Sequence, residues 1–278
     1  MKKRILTEKL IEQFNMHLIA EEKSEITIAK YLSDVRQFCK FAKYAQIEKS
    51  TVLKYKEVLM TQYAARSVNS KLASIGSLFR FLGWEDLKVK SLKIQQQIYT
   101  AEDKELTKAE YARLCNASES NQRLNLIIKT ICSTGIRVSE LKFFTVEAVK
   151  RGTVTVRLKA KTRDIFIPSK LRKLLICYTR KQKITSGIIF RTRSGKPIDR
   201  SNIWSDMKKL CKAANINPSK VFPHNLRKLF ARTFYGIEKD IAKLADILGH
   251  SSIDTTRIYI MSTGSEHRRK IEQFGLVV

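Results

Sequence analysis

The sequence predicts a mainly α-helical protein with one small β-hairpin, in which an N-terminal helical bundle precedes a second, mostly helical domain. The chain has 278 residues, of which 43% are hydrophobic, enough for two cores. Apolar residues recur at helical spacing through most of the chain, and one stretch alternates with the period of a strand. A polar segment without a clear period separates the two helical regions. We therefore predict a helical domain over residues 1–88, a linker over 89–104 and a second domain over 105–278.

Four amphipathic helices make up the predicted N-terminal bundle. They cover residues 6–20, 24–39, 51–63 and 67–82. Thr7 is predicted to cap the first helix and Gly83 to end the fourth. Four helices with short connections are typical of a compact bundle.

One extended stretch in the second domain predicts the hairpin. Val154, Val156 and Leu158 alternate with polar residues, and a second apolar run covers residues 165–168. The polar residues 161–164 between these runs are predicted to form the turn.

The charge of the chain points to a polyanionic partner, with nucleic acid first. Lys and Arg number 54 against 26 Asp and Glu, which gives +28. The first 100 residues carry 18 basic and 10 acidic side chains and the remainder 36 and 16, so both parts are basic. Charge spread among apolar helical positions is expected of a folded protein that surrounds a nucleic-acid backbone. A solubilising surface is the alternative.

The five cysteines are scattered, which favours reduced core thiols over disulfides or a zinc site. No apolar run reaches the ~20 residues that span a bilayer. The basic start of the chain is not followed by a signal-peptide apolar stretch. We expect a cytoplasmic protein.

Three short motifs carry residues suited to phosphoryl chemistry. In Ser133-Thr-Gly-Ile-Arg-Val-Ser-Glu-Leu, a glycine turn delivers Arg137 to the start of an amphipathic helix. His224 and Arg227 lie three residues apart and so share one helix face. His250 follows a glycine that ends a helix, and Tyr259 comes nine residues later. Taken singly, each motif is more often structural than catalytic.

Phosphoryl transfer to a tyrosine gives these residue types a common purpose. The pentacoordinate transition state concentrates negative charge on the non-bridging oxygens, so cations and hydrogen-bond donors are needed around the phosphate. Arginine suits this task because its planar fork holds two oxygens and stays charged.

Together, in this order, the three motifs resemble the tyrosine recombinases of the phage-integrase and Xer-like type. The resemblance covers almost the whole chain. It implies that Arg137 and Arg227 bind the scissile phosphate and that Tyr259 is the nucleophile. It also implies that His224 assists proton transfer at the tyrosine and that His250 donates to a non-bridging oxygen.

The same resemblance implies a catalytic lysine on the hairpin, which protonates the departing 5′ hydroxyl. Lys161 is favoured and Lys159 is the alternative, because Lys161-Thr162 is similar to the Lys-Thr turns of several integrases. Glu140 would support the site structurally. Many relatives have His after the second arginine, whereas this chain has Lys228; that residue is outside the reacting set.

The implied function is site-specific recombination through a 3′-phosphotyrosine and a Holliday junction. It would serve integration and excision of a mobile element, or resolution of chromosome or plasmid dimers. Residues 1–88 would be a core-type DNA-binding domain, and residues 105–278 the catalytic domain with a C-terminal exchange helix over 264–274. A helix packed on its own domain is the alternative for that last segment.

The implied partners are double-stranded DNA with paired half-sites and three further copies of the chain in a tetramer. An accessory directionality protein is left open, a membrane is not expected, and the protein would be nucleoid-associated. No metal, nucleotide or other cofactor is expected, since the sequence has no P-loop, no His-Glu-x-x-His and no obvious acidic cluster.

Three alternatives share parts of these features. A type IB topoisomerase or a hairpin telomere resolvase uses similar residues without exchanging partners. A catalytically idle DNA-binding protein would keep the fold, and a basic RNA-binding protein would carry the motifs by accident. The complete set of candidate residues argues against the last two.

Overall fold

The computed structural model describes residues 4–95, 99, 102–158 and 161–274. Within these ranges the chain forms thirteen α-helices and a two-stranded antiparallel sheet, which confirms the mainly α fold class. The elements are α1 (Glu8–Ala20), α2 (Glu25–Phe41), α3 (Lys49–Gln62), α4 (Ala65–Phe81), α5 (Lys108–Ala117), α6 (Gln122–Thr134), α7 (Val146–Arg151), β1 (Thr153–Leu158), β2 (Lys161–Phe166), α8 (Ser169–Lys181), α9 (Arg200–Ala214), α10 (Pro223–Glu238), α11 (Ile241–Leu248), α12 (Ile253–Ile260) and α13 (Gly264–Glu272). The chain divides into two compact units, residues 1–96 and 97–278.

The first unit is a bundle of α1 to α4 around buried Phe14, Phe38 and Phe79. The four predicted helices are confirmed, with ends displaced by one or two residues. The Thr7 hydroxyl caps α1 by accepting from the Leu10 amide, as predicted. Helix α3 begins at Lys49, two residues earlier than predicted, because Glu48 and Thr51 cap each other's backbone amides.

The chain after α4 stays attached to this bundle. Leu87 is buried in the first core. The Asn69 side chain exchanges two hydrogen bonds with the backbone of Leu92, at 2.9 Å to its carbonyl and 2.7 Å from its amide. These bonds fix the first residues of the predicted linker on the bundle.

The second unit has a larger core, in which α6 and α10 pack against each other. Helix α6 supplies Ile127, Ile128 and Ile131, which are fully buried. Helix α10 contributes Leu226 and Leu229 to the same core, as predicted for the helix that carries His224 and Arg227. The core thus fixes the two helices that bound the candidate site.

The predicted hairpin is confirmed, but its predicted turn is wrong. Residues 161–164 belong to β2, and Leu158 pairs with Lys161 across the two strands. Two polar side chains of β2 have partners: Thr155 Oγ1 on β1 donates to Asp164 Oδ1 at 2.6 Å, and Arg163 pairs with a buried carboxylate. Lys159 and Ala160, which connect the strands, lie outside the described residues.

The thiols are not all in the core. Cys39, Cys115 and Cys211 are buried free thiols and Cys132 is half-buried, whereas Cys177 is exposed. The prediction of a core thiol is therefore wrong for Cys177, because α8 turns Leu171, Leu175 and Tyr178 inward instead.

None of the described helices combines the length and the apolar composition required of a membrane span.

Gly135 allows α6 and α10 to pack closely, so a methyl group there should destabilise the second unit. Its φ is +65°, and an added Cβ would lie 2.4 Å from the Phe230 ring. Gly187 has a φ of +73° with open space around it. Alanine at either position incurs backbone strain of about 1–3 kcal/mol, and Gly135→Ala should lose a further ~1–3 kcal/mol from overpacking.

The measurement is urea unfolding of the whole chain followed by circular dichroism, with Gly187→Ala as the matched control. Equal urea midpoints for the two variants would show that the Phe230 ring moves aside without a further loss of stability.

Candidate active site

Arg227 lies at the centre of the site as a buried cation. It is the fifth residue of α10, and it is 2% exposed. Its Nη1 donates to the carbonyl of Gly135, and its Nη2 donates to the carbonyl of Leu248 at 2.6 Å. Burial lowers its pKa to about 10, with a further contribution from Arg137, so the guanidinium stays charged at neutral pH.

Arg137 is more accessible and sits on the rim of the same site. It is the N-cap of a short 3₁₀ helix, Val138–Phe143, where an amphipathic helix was predicted. Its side chain is 38% exposed. Its Nη2 donates to the carbonyl of Gly249 at 3.1 Å, which places the guanidinium beside the end of α11.

Glu140 is a fully buried carboxylate that holds two arginines. It accepts the Arg137 backbone amide at 2.7 Å, Arg137 Nη1 at 3.1 Å and Arg163 Nη2 at 2.6 Å. A buried carboxylate with this many charge-assisted bonds is held rigidly. It therefore fixes the angle at which Arg137 leaves the backbone.

Tyr259 lies between the two candidate histidines. It is largely buried on α12, and its hydroxyl is 3.4 Å from His224 Nδ1. The centroid of its ring is 4.9 Å from the centroids of both the His224 and His250 rings. The Arg227 guanidinium is 5.8 Å from the same centroid. The structure thus brings together Arg137, His224, Arg227, His250 and Tyr259, which lie far apart in the sequence.

Hydrogen bonds define the tautomer of His250. Its Nε2 is 3.0 Å from Arg227 Nη2, and its Nδ1 is 2.9 Å from Thr256 Oγ1. Since a guanidinium only donates, Nε2 accepts and Nδ1 carries the proton that is donated to Thr256. Burial, together with the positive charges of Arg227 and Arg137, lowers the pKa of His250 to about 4.

His224 is also held in the neutral form. Burial lowers its pKa, and the positive charge of Lys228 is the next contribution. Lys228, where many relatives have histidine, lies 3.3 Å from the buried carboxylate of Glu105. A neutral His224 beside the Tyr259 hydroxyl is able to accept its proton.

For the two candidate lysines of the hairpin, the structure describes only the backbone of Lys161. Lys161 is the first residue of β2, but its side chain and the whole of Lys159 lie outside what the structure describes. The choice between them stays a prediction.

Two residues of the site were missed by sequence reasoning. Arg163 was assigned to a polar turn, and Thr256 was not singled out. The alternation of the hairpin would have identified Arg163, had its period been extended into 161–164. Within the described ranges, no group of three or more His, Cys, Asp or Glu side chains is arranged to hold a metal ion.

Comparison with known proteins agrees with this fold. Residues 104–266, more than half the chain, match the phage integrase family, and residues 11–86 match a phage integrase N-terminal SAM-like domain. Tyrosine recombinase XerA of Thermococcus kodakarensis is 30% identical over 95% of this chain and 94% of its own length. These matches place the chain in a class of proteins that cleave and rejoin DNA strands. The chain belongs to the phage integrase family, the family of the tyrosine recombinases, which confirms the resemblance drawn from the motifs.

Solved structures share the fold. The crystal structure of XerA recombinase matches with a TM-score of 0.55 and 26% identity, over 98% of this chain and 100% of that one. A lambda integrase tetramer bound to a Holliday junction matches with a TM-score of 0.75 and 17% identity, over 93% of this chain and 78% of that one.

The neutral state of His250 should make stability depend on pH. Its pKa falls from 6.5 to about 4 on folding, so the unfolded chain binds more protons between these values. The free energy of unfolding should therefore fall as pH decreases through this range. The His250→Asn variant keeps a donor for Thr256 but has no imidazole to protonate. Its free energy of unfolding should therefore fall less over the same pH range.

Urea unfolding at pH 7.0, 5.5 and 4.5 measures the difference, with His17→Asn in the first unit as the control for loss of a histidine. If wild type and His250→Asn decline in parallel, His250 does not carry this linkage.

Proposed function

We propose that this chain is a site-specific DNA recombinase that cleaves and rejoins DNA strands through a phosphotyrosine at Tyr259. The observation that carries the proposal is the position of the Tyr259 hydroxyl, 3.4 Å from a neutral imidazole and within a cluster of arginines. Membership of the tyrosine recombinases supports it.

In the proposed first step, the Tyr259 oxygen attacks the scissile phosphorus. Its proton passes to His224 Nδ1, which is neutral and nearest to it. The bond from phosphorus to the 5′ oxygen breaks, which leaves a 3′-phosphotyrosine and a 5′ hydroxyl. Arg137 and Arg227 neutralise the charge that develops on the non-bridging oxygens.

His250 takes part through a change of hydrogen-bond partner. In the structure its Nε2 accepts from Arg227. A phosphate oxygen that binds Arg227 Nη2 competes for this donor and frees Nε2. The negative phosphate also favours a protonated imidazole, which then donates Nε2–H to a non-bridging oxygen while Nδ1–H stays on Thr256.

The departing 5′ oxygen needs a proton, which we assign to Lys161 and, as the alternative, to Lys159. Either lies at the start of β2 or in the connection just before it. The 5′ hydroxyl of a partner strand then attacks the phosphotyrosine in the reverse chemistry. Because one phosphoester replaces another, the exchange conserves bond energy and needs no ATP. Two such rounds pass through a Holliday junction.

Charge and assembly fit the same proposal. A net charge of +28 suits a clamp on duplex DNA, in which residues 1–88 bind the core site, residues 89–104 link, and residues 105–278 catalyse. Lambda integrase forms a tetramer on a Holliday junction, and we propose the same assembly here, on paired half-sites. Ile271 and Phe274 are exposed at the end of the chain, as expected of an exchange helix that docks in a neighbouring copy.

The biological setting is proposed as integration and excision of a mobile element or resolution of DNA dimers. An accessory directionality protein and association with the nucleoid belong to this proposal.

The proposal is tested with nicked duplexes taken from the DNA that flanks the gene, in which cleavage releases a short fragment and traps the covalent complex. Wild type should give a protein–DNA adduct on a denaturing gel, and Tyr259→Phe should give none, because it lacks the nucleophilic oxygen. Tyr235→Phe is the matched control, since Tyr235 packs in the same small cluster and should leave the adduct unchanged.

An adduct from Tyr259→Phe would move the nucleophile elsewhere. No adduct from wild type on any flanking duplex would refute the recombinase assignment.

A further inference from the structure

The hairpin is joined to the rest of the site by one buried ion pair. Arg163, the third residue of β2, donates Nη2 to Glu140 Oε2 at 2.6 Å. The same Glu140 oxygen accepts the Arg137 backbone amide. A single carboxylate thus links the strand to the backbone at the first candidate arginine.

Arg163 is buried more deeply than its bond to Glu140 requires. Its side chain is 14% exposed. Its Nε and Nη1 are buried and have no hydrogen-bond partner among the described residues. Desolvation by burial lowers its pKa. A buried charge of this kind is costly unless it is paired, and Glu140 is the carboxylate that pairs it.

Gly249 makes room for this arginine. An added Cβ at Gly249 would lie 2.2 Å from Arg163 Nη1. The carbonyl of Gly249 accepts from Arg137 Nη2. The turn before His250 is therefore placed between the two arginines that Glu140 holds, and the three parts form one packed unit.

The partner strand offers a contrast. Arg157 on β1 is exposed, and the register pairs it with Thr162. The two arginines of the hairpin thus differ in burial and in partners, and of these two Arg163 is the one in contact with Glu140.

We propose that Arg163 is a positioning residue that, through Glu140, fixes the start of β2 and the lysine there against the phosphate-binding Arg137. This inference rests on the proposed function, in which that lysine protonates the departing 5′ oxygen. It holds whether the lysine is Lys161 or Lys159, because both belong to the strand start and its connection. Arg163 itself does not touch the reacting atoms.

A sulfur leaving group separates this role from a general loss of structure. When the 5′ bridging oxygen is replaced by sulfur, the P–S bond breaks and a thiolate departs. A thiol has a pKa of about 8.5, whereas an oxygen leaving group holds its proton up to about the 15.7 of water. The sulfur substrate therefore needs no proton donor, while the attack by Tyr259 and the demands on Arg137 and Arg227 are unchanged.

The substrates are nicked duplexes that carry either oxygen or sulfur at the 5′ bridging position of the scissile phosphate. The Arg163→Met protein is added in saturating amount, and the single-turnover rate of cleavage is measured on each substrate. Misplacement of a catalytic group by about 1 Å costs about 100-fold, so cleavage of the oxygen substrate should slow by about that factor. Cleavage of the sulfur substrate should recover to near the wild-type rate. Equal slowing on both substrates, or none on the oxygen substrate, would overturn the proposal.

Three comparison variants sharpen the result. Arg157→Met controls for loss of an arginine from the hairpin and should show no difference between the substrates. Lys159→Ala and Lys161→Ala identify the lysine itself, since the one that donates the proton should show the largest recovery with sulfur.

Folding is monitored separately, because Arg163→Met removes a partner of buried Glu140. Circular dichroism and thermal unfolding are recorded for every variant, and rates are compared below the lowest midpoint. Arg163→Lys keeps the charge without the planar fork. This variant should cleave the oxygen substrate less slowly than Arg163→Met does, and its cleavage rate should also recover on the sulfur substrate. Equally slow cleavage of the sulfur and oxygen substrates by Arg163→Lys would contradict the proposal.

A double variant tests whether Arg163 acts through Glu140. On the oxygen substrate, Glu140→Gln combined with Arg163→Met should be no slower than Glu140→Gln alone, because both changes break one linkage. Additive losses would show that Arg163 acts by another route.

The failure of this inference can be distinguished from the failure of the recombinase assignment. If wild type cleaves both substrates but the Arg163→Met rate does not recover with sulfur, the inference fails while the recombinase assignment stands. If wild type forms no adduct, the assignment itself fails.

Discussion

The site depends on the guanidinium of Arg227, a charge placed inside the second unit. Burying a cation is costly unless its donors are satisfied. Two of its partners are carbonyls at the ends of helices, Gly135 after α6 and Leu248 at the last position of α11. Helix C-termini carry partial negative charge and unpaired carbonyls, so they suit a buried cation. Arg227 therefore holds two helix ends together and places His250, which follows the second of them.

Burial and the surplus of positive charge in the site together determine the protonation states of its histidines. Arg137, Arg163 and Arg227 lie close together, and Glu140 is the carboxylate in contact with the first two. The surrounding positive charge, together with burial, keeps His224 and His250 neutral. A scissile phosphate brings the missing negative charge. Burial and the nearby cations thus favour a neutral base beside Tyr259, and a bound phosphate favours donors around its oxygens.

The sequence predicted those features that are expressed locally. Helix periodicity located the bundle, and the order of the three motifs, through its resemblance to a family, pointed to Arg137, His224, Arg227, His250 and Tyr259. Arg163 was not recognised because its partner Glu140 is 23 residues away and its polar neighbours suggested a turn. Thr256 has no signal of its own, since its importance comes from one bond to His250 Nδ1. Gly249 was understood as the end of a helix, and its second role depends on the packing of Arg163.

The central claim is that the Tyr259 oxygen becomes linked to DNA, and the direct measurement is mass spectrometry of the trapped complex after digestion with trypsin and nuclease. Cleavage after Arg257 and Arg268 releases the peptide 258–268, which contains Tyr259 as its single tyrosine. We expect a nucleotide 3′-phosphate on Tyr259 in that peptide, with the matching DNA fragment ending in a free 5′ hydroxyl. A nucleotide on any other residue, or a 5′-phosphate linkage, would contradict the account.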